Sequence, residues 1–183
     1  DIRLEQAKTY DFGIYKGEQF AGEKIPTLEE FLIFCKRACL HPYLEIKFTP
    51  TTEKIHAVVD MVHRCGLRDR STYIGTNVNA LAMIVAYDRK ARVGAIYGLS
   101  PIAANAVETA TLKTGSNEVI CCPRRPNSEI VEACITNRVS LEIWDYDVAA
   151  SAVLARSNMC TGCVHGNLHA GKLIYNDANG ITE

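Results

Sequence analysis

The sequence predicts an α/β domain organised around a parallel β-sheet, and two observations carry that prediction. Short β-rich runs recur roughly every 20 to 30 residues, and a helical pattern separates each pair of runs. Strands that alternate with helices in this way are typical of right-handed βαβ units, which build a parallel sheet covered by helices. An open doubly wound sheet and a closed (β/α)8 barrel both fit the pattern.

The first elements are predicted from local signals. Thr27 and Glu30 form a capping box at the start of a helix, whose apolar positions then recur at steps of three and four residues. A β-rich run follows at 43–48. A second helix opens at Thr52 and stops at Gly66, because glycine readily ends a helix. The apolar stripe of the first helix consists of Leu28, Phe31, Leu32, Cys35 and Cys39.

Five more strands are predicted along the rest of the chain, at 72–74, 93–97, 118–121, 140–144 and 162–164. Helices are expected to start near Asn77, Pro101, Ser128 and Val148, and Ser100 with Pro101 reads as an N-cap followed by proline at the first helical position. A closed barrel needs eight strands and typically about 250 residues. If the domain is a barrel, about two βα units are missing, and they are missing before the first helix.

The composition is that of one globular domain, placed at residues 1–183. The chain is 48% hydrophobic and 22% charged, with a formal net charge of -1. Positive and negative residues are interspersed along the chain, so the sequence does not show the cluster of basic residues that is typical of nucleic-acid binding. Apolar stretches are shorter than the roughly 18 residues of a membrane span, and residues 1–5 lack the basic start of a signal peptide. The chain as given therefore predicts neither a membrane span nor a signal peptide.

The cysteines predict a reducing environment. Of eight in the chain, Cys35, Cys39, Cys65 and Cys134 fall in apolar helical patterns, where buried free thiols are a better explanation than a disulfide framework. The expected location is cytoplasmic.

The run at 43–48 breaks the rule for a parallel strand. Side chains alternate, so Tyr43, Glu45 and Lys47 share one face, although strands covered on both sides are usually apolar throughout. Burying two charges costs several kcal/mol unless they are paired or bind something. The charges therefore mark either a functional site or an internal ion pair or exposed edge, and the pattern alone does not decide between these.

Three stretches in order resemble a known family. They are Asp11-Phe12-Gly13, then the run from Phe20 to Glu30 with its Gly-Glu-Lys-Ile-Pro-Thr-Leu-Glu-Glu, then Leu44-Glu45-Ile46-Lys47. Together they resemble the middle of a glycerophosphodiester phosphodiesterase. The stretch at 139–147 more loosely resembles the tryptophan-bearing seventh strand of that family.

The resemblance implies a TIM barrel that hydrolyses glycerophosphodiesters to glycerol phosphate and an alcohol. A divalent cation, Mg²⁺ or Ca²⁺, would be held by three carboxylates at the carboxyl ends of the strands. Glu45 matches the last of these ligands, Lys47 matches a lysine near the phosphate, and Trp144 matches an aromatic residue of the substrate site. Strand alternation puts Glu142 and Trp144 on the barrel side. A buried core tryptophan is the alternative for Trp144.

The sequence departs from the family at its beginning. The family's His-Arg-Gly, its Glu-x-Asp metal pair and its second catalytic histidine are not found, and the first histidine is His41. The resemblance therefore implies an N-terminally truncated barrel with one metal ligand of three. Since one carboxylate does not hold Mg²⁺ or Ca²⁺ usefully, the chain is expected to be inactive alone and to self-associate through exposed sheet edges. The alternative is a non-catalytic barrel fragment that acts as a binding or structural module.

Three other groups of residues have a functional and a structural interpretation. His56, Asp60 and His63 have a metal-binding spacing, but a solvated helix face explains them better. Cys160, Cys163, His165 and His169 could bind zinc, although their spacing is unlike that of a zinc finger. Arg124 and Arg125 could clamp a phosphate, but an exposed loop pair is commoner.

Overall fold

The computed structural model describes residues 2–47, 49–97, 104–114, 119–123, 128–144 and 162–164. Its strands are β1 (Tyr43–Glu45), β2 (Thr72–Gly75), β3 (Arg92–Ile96), β4 (Val119–Pro123), β5 (Ser140–Trp144) and β6 (Gly162–Val164). Its helices are α1 (Leu4–Ala7), α2 (Leu28–Arg37), α3 (Thr52–Arg64), α4 (Val78–Tyr87), α5 (Ala104–Thr114) and α6 (Ser128–Thr136), with 3-10 turns at Ile14–Lys16, Glu18–Phe20 and Arg68–Arg70.

The six strands form one parallel sheet in which every strand pairs with its neighbours in sequence, in the order β1 to β6. One row of paired residues runs across the first five strands and consists of Glu45, Ile74, Gly94, Val119 and Ser140. This order is the one expected when each βα unit adds one strand beside the last. The prediction of a parallel α/β sheet is confirmed.

The predicted strands all occur, with small shifts at their ends. The fifth and sixth have the predicted bounds, whereas β1 is shorter than its β-rich run because it ends at Glu45. Phe48 lies outside the described residues, as do the proposed cap at Ser100 and Pro101 and the helix start near Val148.

The helix starts follow the capping signals in the sequence. At α2 the Glu30 N–H donates to Thr27 Oγ1 at 3.1 Å, and the Thr27 N–H donates to a Glu30 carboxylate oxygen at 2.7 Å, which is the predicted capping box. Thr51 caps α3, and Asn77 caps α4 by accepting from two backbone N–H groups. Each side chain satisfies donors that a helix start leaves unpaired.

The hydrophobic core lies between one face of the sheet and the helices. Almost all buried apolar side chains of the described chain belong to this single cluster. From the sheet it contains Leu44, Ile46, Tyr73, Val93, Ala95 and Leu141, and from the helices Leu32, Ile55, Val59, Leu81, Ile84, Val107 and Ile130. The sheet face that carries Leu44 is therefore the helix-facing one.

Three helices end in the same way, and one of these ends corrects a prediction. The residue after the cap has a positive φ at the ends of α2, α3 and α6, where it is Cys39 (φ 55), Gly66 (φ 70) and Arg138 (φ 54). At α2 the next N–H, of Leu40, donates back to the Cys35 carbonyl at 2.9 Å, which is a Schellman motif. Cys39 was predicted to be a buried helical thiol, but α2 stops before it and its side chain is exposed. The other three cysteines in helical patterns are buried thiols, as predicted.

A carboxylate anchors the helical layer where α4 leads into β3. Asp88 is 4% exposed and accepts two hydrogen bonds from the Arg68 guanidinium and one from the Lys90 N–H. A ring nitrogen of His63 lies 2.9 Å from the same carboxylate. These donors, the Arg68 guanidinium foremost, hold the pKa of Asp88 well below its ordinary range.

Candidate active site at the carboxyl ends of the strands

The face of the sheet that turns away from the helices carries the polar side chains. Along β1 it presents Tyr43 and Glu45, and Lys47 follows in the same alternation. Tyr43 is paired with Thr72 of β2, which is paired in turn with Arg92 of β3, and Glu45 is paired with Ile74 of β2. Paired residues lie on the same face of the sheet. Ile74 packs on Ile96 in a small apolar cluster that is separate from the main core.

A hydrogen bond shows that this face is the inside of a curved wall. The Tyr43 hydroxyl donates to a carboxylate oxygen of Glu142 at 2.7 Å, although β1 and β5 are separated by three other strands. In a flat sheet four strand spacings amount to roughly 19 Å, which is far beyond the reach of these two side chains. The sheet must therefore curve toward Tyr43 and Glu142, as the wall of a barrel does.

Glu142 is the half-buried acid of this interior. Burial raises the pKa of its carboxyl group, while the Tyr43 hydrogen bond and the charge of Arg92 oppose that rise. Strand alternation predicted that Glu142 faces the barrel, and its contact with Tyr43 confirms this placement. The sequence analysis did not predict that Tyr43 and Arg92 interact with Glu142, because only the register across the whole sheet brings these residues together.

Glu45 and Lys47 lie at the carboxyl end of β1. Glu45 is the last residue of the strand, and its carboxylate is 3.2 Å from the Lys47 ammonium group. The side chains are 36% and 75% exposed respectively, so the ion pair is open to water. The sequence left a functional site, an internal ion pair and an exposed edge open, and the exposure of Lys47 excludes the internal ion pair. An exposed pair of this kind contributes about 0 to 1 kcal/mol to stability and does not by itself explain why charges occupy the strand.

Trp144 ends β5 in the same way that Glu45 ends β1. Tyr43 meets Glu142 across the interior, and Glu45 and Trp144 each lie two residues further toward the carboxyl end. Because alternate strand residues share a face, Glu45 belongs to the next layer of the interior that Tyr43 faces. Glu45, Lys47 and Trp144 thus come from the same end of the sheet. The Trp144 side chain lies outside what the structure describes.

The described residues do not form a complete metal site. Nowhere in the described ranges do three or more His, Cys, Asp or Glu side chains come close enough to hold an ion together. Glu45 offers one carboxylate, and its nearest charged partner is a lysine. Mg²⁺ and Ca²⁺ require several oxygen ligands, so the donor set here does not fit either ion.

The three described histidines lie away from this end of the sheet. His41 precedes β1, with its ring 2.8 Å from the Thr72 hydroxyl at the amino-terminal ends of the strands. His56 stacks on Tyr87 in the helical layer, with ring centroids 3.6 Å apart, and His63 contacts Asp88. None of these three reaches the layer of Glu45.

The other candidate groups do not form sites among the described residues. His56 stacks on the Tyr87 ring and Asp60 accepts from the Tyr87 hydroxyl, whereas His63 contacts Asp88, so the three do not come together as a metal-binding group. Cys163 lies in β6 but its side chain is not described, and Cys160, His165, His169, Arg124 and Arg125 lie outside the described residues.

Among the helices that the structure describes, none combines the length and the apolar character needed to cross a membrane.

Comparison with known proteins gives matches at the level of structure. No family model matches the chain, and no curated protein matches it. A structure described as a glycerophosphodiester phosphodiesterase from Galdieria sulphuraria superposes with a TM-score of 0.79 at 18% identity, over 98% of this chain and 71% of that chain. One described as a glycerophosphoryl diester phosphodiesterase from Silicibacter pomeroyi gives 0.79 at 15% identity, over 97% and 69%.

A third structure, a glycerophosphodiester phosphodiesterase from Parabacteroides distasonis, gives a TM-score of 0.68 at 19% identity, over 97% of this chain and 73% of that chain. The resemblance in the sequence named the same kind of protein, and these structures support it at the level of the fold. The parallel sheet, its sequence-ordered strands and its curved polar interior agree with that likeness. The chain therefore shares the α/β barrel fold of structures described as glycerophosphodiester phosphodiesterases.

Proposed function

We propose that the chain is part of a metal-dependent glycerophosphodiester phosphodiesterase, and that Glu45, Lys47 and Trp144 belong to its substrate site. The observation that carries the proposal is the Glu45–Lys47 pair, which lies at the carboxyl end of β1 on the interior side of the sheet. Enzymes with this kind of barrel keep their active sites at that end.

The proposed reaction cleaves one ester bond of a phosphodiester. Overall one water molecule is consumed: its oxygen becomes bonded to phosphorus and it gives up a proton, the bond to the alcohol oxygen breaks, and that oxygen takes up a proton, which leaves glycerol phosphate and an alcohol. A divalent cation, Mg²⁺ or Ca²⁺, supplies charge stabilisation to the phosphate oxygens when it is bound. Lys47 has a largely exposed ammonium group, which a phosphate oxygen would contact in place of water.

The proposal requires residues beyond the described ones. Glu45 would be one carboxylate ligand of the cation, and we assign the remaining ligands and the histidines for proton transfer to two βα units upstream. Those units would complete a barrel in which this chain supplies about six of eight strands. His41, His56 and His63 lie elsewhere, which supports the expectation that the chain is inactive alone.

The test is phosphodiesterase activity on glycerophosphocholine with Mg²⁺ or Ca²⁺, measured on this chain and on the chain extended upstream through its nearest His-Arg-Gly. Activity is expected in the extended form alone. Glu45→Gln and Lys47→Met should each abolish most of that activity while changing stability by less than about 1 kcal/mol. Lys90→Met, an exchange at the opposite end of the sheet, is the matched control.

Two outcomes would contradict the proposal. Activity in the short chain would show that proton transfer does not need the upstream histidines. A folded but inactive extended form would favour the non-catalytic module instead.

Sedimentation of both forms adds a physical readout, because exposed apolar residues such as Tyr15 (75%) and Phe34 (60%) favour self-association of the short chain.

A further inference from the structure

The groove between α2 and α3 concentrates positive charge outside the candidate active site. A cleft of about 470 Å³ lies there and is lined by Lys36, Arg37 and Arg64, with Glu29, Ile33 and Cys65 completing its wall. The volume falls within the range of roughly 300 to 1,000 Å³ that ligand pockets occupy. The three cations come from the last turns of the two helices.

These cations have no carboxylate partner among the residues that the structure describes. The ion pairs found there join Lys8 to Glu30, Lys47 to Glu45, and Asp88 to Arg68 and His63. The cleft therefore has a surplus of positive charge.

Helix ends account for part of this charge but not for all of it. The carbonyl groups at the end of each helix act as about half a negative charge, so the ends of α2 and α3 together offset about one cation. Glu29 offsets a second. About one positive charge remains, with two guanidinium groups able to form paired hydrogen bonds and one ammonium group.

The backbone at the end of α3 brings the ammonium group into the cleft. Gly66 has a φ of 70, and a Cβ at this position would lie 2.9 Å from Lys36 Nζ. The Lys36 side chain thus reaches from α2 across to the end of α3. Because Gly66 has no side chain, the Lys36 ammonium group can approach the backbone closely. The ammonium group therefore lies between α2 and α3.

We propose that this cleft binds a phosphate monoester group. Such a group has three terminal oxygens, so it can accept hydrogen bonds from all three cationic side chains at once, whereas a carboxylate or a phosphodiester offers only two. The three cations lie at helix C-termini, which in a parallel α/β fold lie at the amino-terminal ends of the strands. They are therefore at the opposite end of the sheet from Glu45, and the proposal stands independently of the proposed function.

The test uses inorganic phosphate as the probe and backbone amide shifts in an NMR titration as the readout. Saturable shifts are expected at the end of α2 and at Gly66, with much weaker ones from acetate. The double variant Arg37→Gln/Arg64→Gln should weaken phosphate binding at least about tenfold, because the loss of a single charged hydrogen bond already corresponds to about that factor. Arg3→Gln/Arg89→Gln makes the same charge change elsewhere and should leave binding within about twofold.

A second arm identifies the source of the phosphate. Cosedimentation with phosphatidylcholine vesicles that contain phosphatidic acid, lost in the cleft variant, would support a lipid headgroup; phosphate binding without cosedimentation would support a soluble phosphate ester. The proposal is overturned if phosphate produces no saturable shifts at these amides, if acetate shifts them equally, or if the control pair weakens binding as much as the cleft pair. Lys36→Gln, which leaves both arginines in place, gives an intermediate variant should the double variant fold poorly.

Discussion

Among the described residues, Asp88 in the helical layer and Glu142 in the barrel interior are both shielded from water, and their surroundings shift their pKa values in opposite directions. Asp88 is almost fully buried and accepts hydrogen bonds from Arg68 and Lys90, so its charged form is favoured. Glu142 accepts from Tyr43, and burial remains the larger effect, so its charged form is disfavoured.

This difference separates the part of the molecule that holds the fold from the part that is available for chemistry. In the helical layer the buried charge of Asp88 is compensated by Arg68 and the Lys90 N–H. In the interior the carboxyl group of Glu142 is retained although Tyr43 and Arg92 do not fully compensate for its burial. Such departures from the rules of stable packing tend to mark functional positions. Three comparisons between variants can sharpen or break this distinction.

The largest effect is expected from truncating a side chain in the helical layer. Leu81 is 0% exposed, so Leu81→Ala should lower the free energy of unfolding by about 3 kcal/mol through lost burial and the cavity left behind. The matched interior change is Ile74→Ala, which should cost about 1 kcal/mol because Ile74 is only partly buried. Urea unfolding measures both. Equal losses would mean that the interior contributes as much to stability as the helical layer.

An intermediate effect is expected at Asp88. Asp88→Asn removes the negative charge that Arg68 faces, and should cost about 2 kcal/mol at neutral pH. Because the pKa of Asp88 is lowered by folding, the stability it contributes is present above its ordinary value of 3.8 and is lost as the pH falls through the folded-state value. When the free energy of unfolding is measured at decreasing pH, it should therefore fall less steeply for Asp88→Asn than for the parent chain. Asp69→Asn, an exposed exchange nearby, is the control and should behave like the parent chain.

The smallest effect, with the opposite pH dependence, is expected at Glu142. Its pKa is raised by folding, so its contribution to stability falls as the pH rises above its ordinary value of 4.5. Glu142→Gln keeps an oxygen that accepts from Tyr43 and removes the charge, and should change stability at neutral pH by less than about 1 kcal/mol, in the stabilising direction. Unfolding measured between acid and neutral pH checks the sign, with Glu132→Gln as the exposed control. A clear destabilisation at neutral pH would show that the ionised carboxylate is well compensated.

Much of the fold could be predicted because its signals are local. Thr27 and Glu30 are three residues apart, and their capping box appears in the structure as it does in the sequence. Cys39 was misplaced because an apolar residue at helical spacing gives no sign that the backbone has already turned to a positive φ. Cysteine is not a residue that usually marks such a turn, whereas Gly66 at the matching position of α3 is.

The candidate site was predictable only in part. Glu45 and Lys47 stood out because charges are unusual in a parallel strand, and the alternation of side chains placed Glu142 on the correct face. The contact between Glu142 and Tyr43 depends on the registers of four successive strand pairs, which no local pattern encodes. The exposure of Lys47 depends on what lies in front of the strand, and that too is a property of the assembled fold.

The same Tyr43–Glu142 hydrogen bond bears on the order in which contacts form. Neighbouring strands close loops of roughly 30 residues or fewer, whereas this bond joins residues 99 positions apart. Loop-closure entropy makes a direct encounter over the longer distance about 1 kcal/mol more costly than one over roughly 30 residues. Once the intervening strands have paired, however, the two side chains are already held near each other. We therefore expect the strands to assemble in sequence, with the hydrogen bond between β1 and β5 forming last. Loss of a contact that forms late raises the unfolding rate more than it lowers the folding rate.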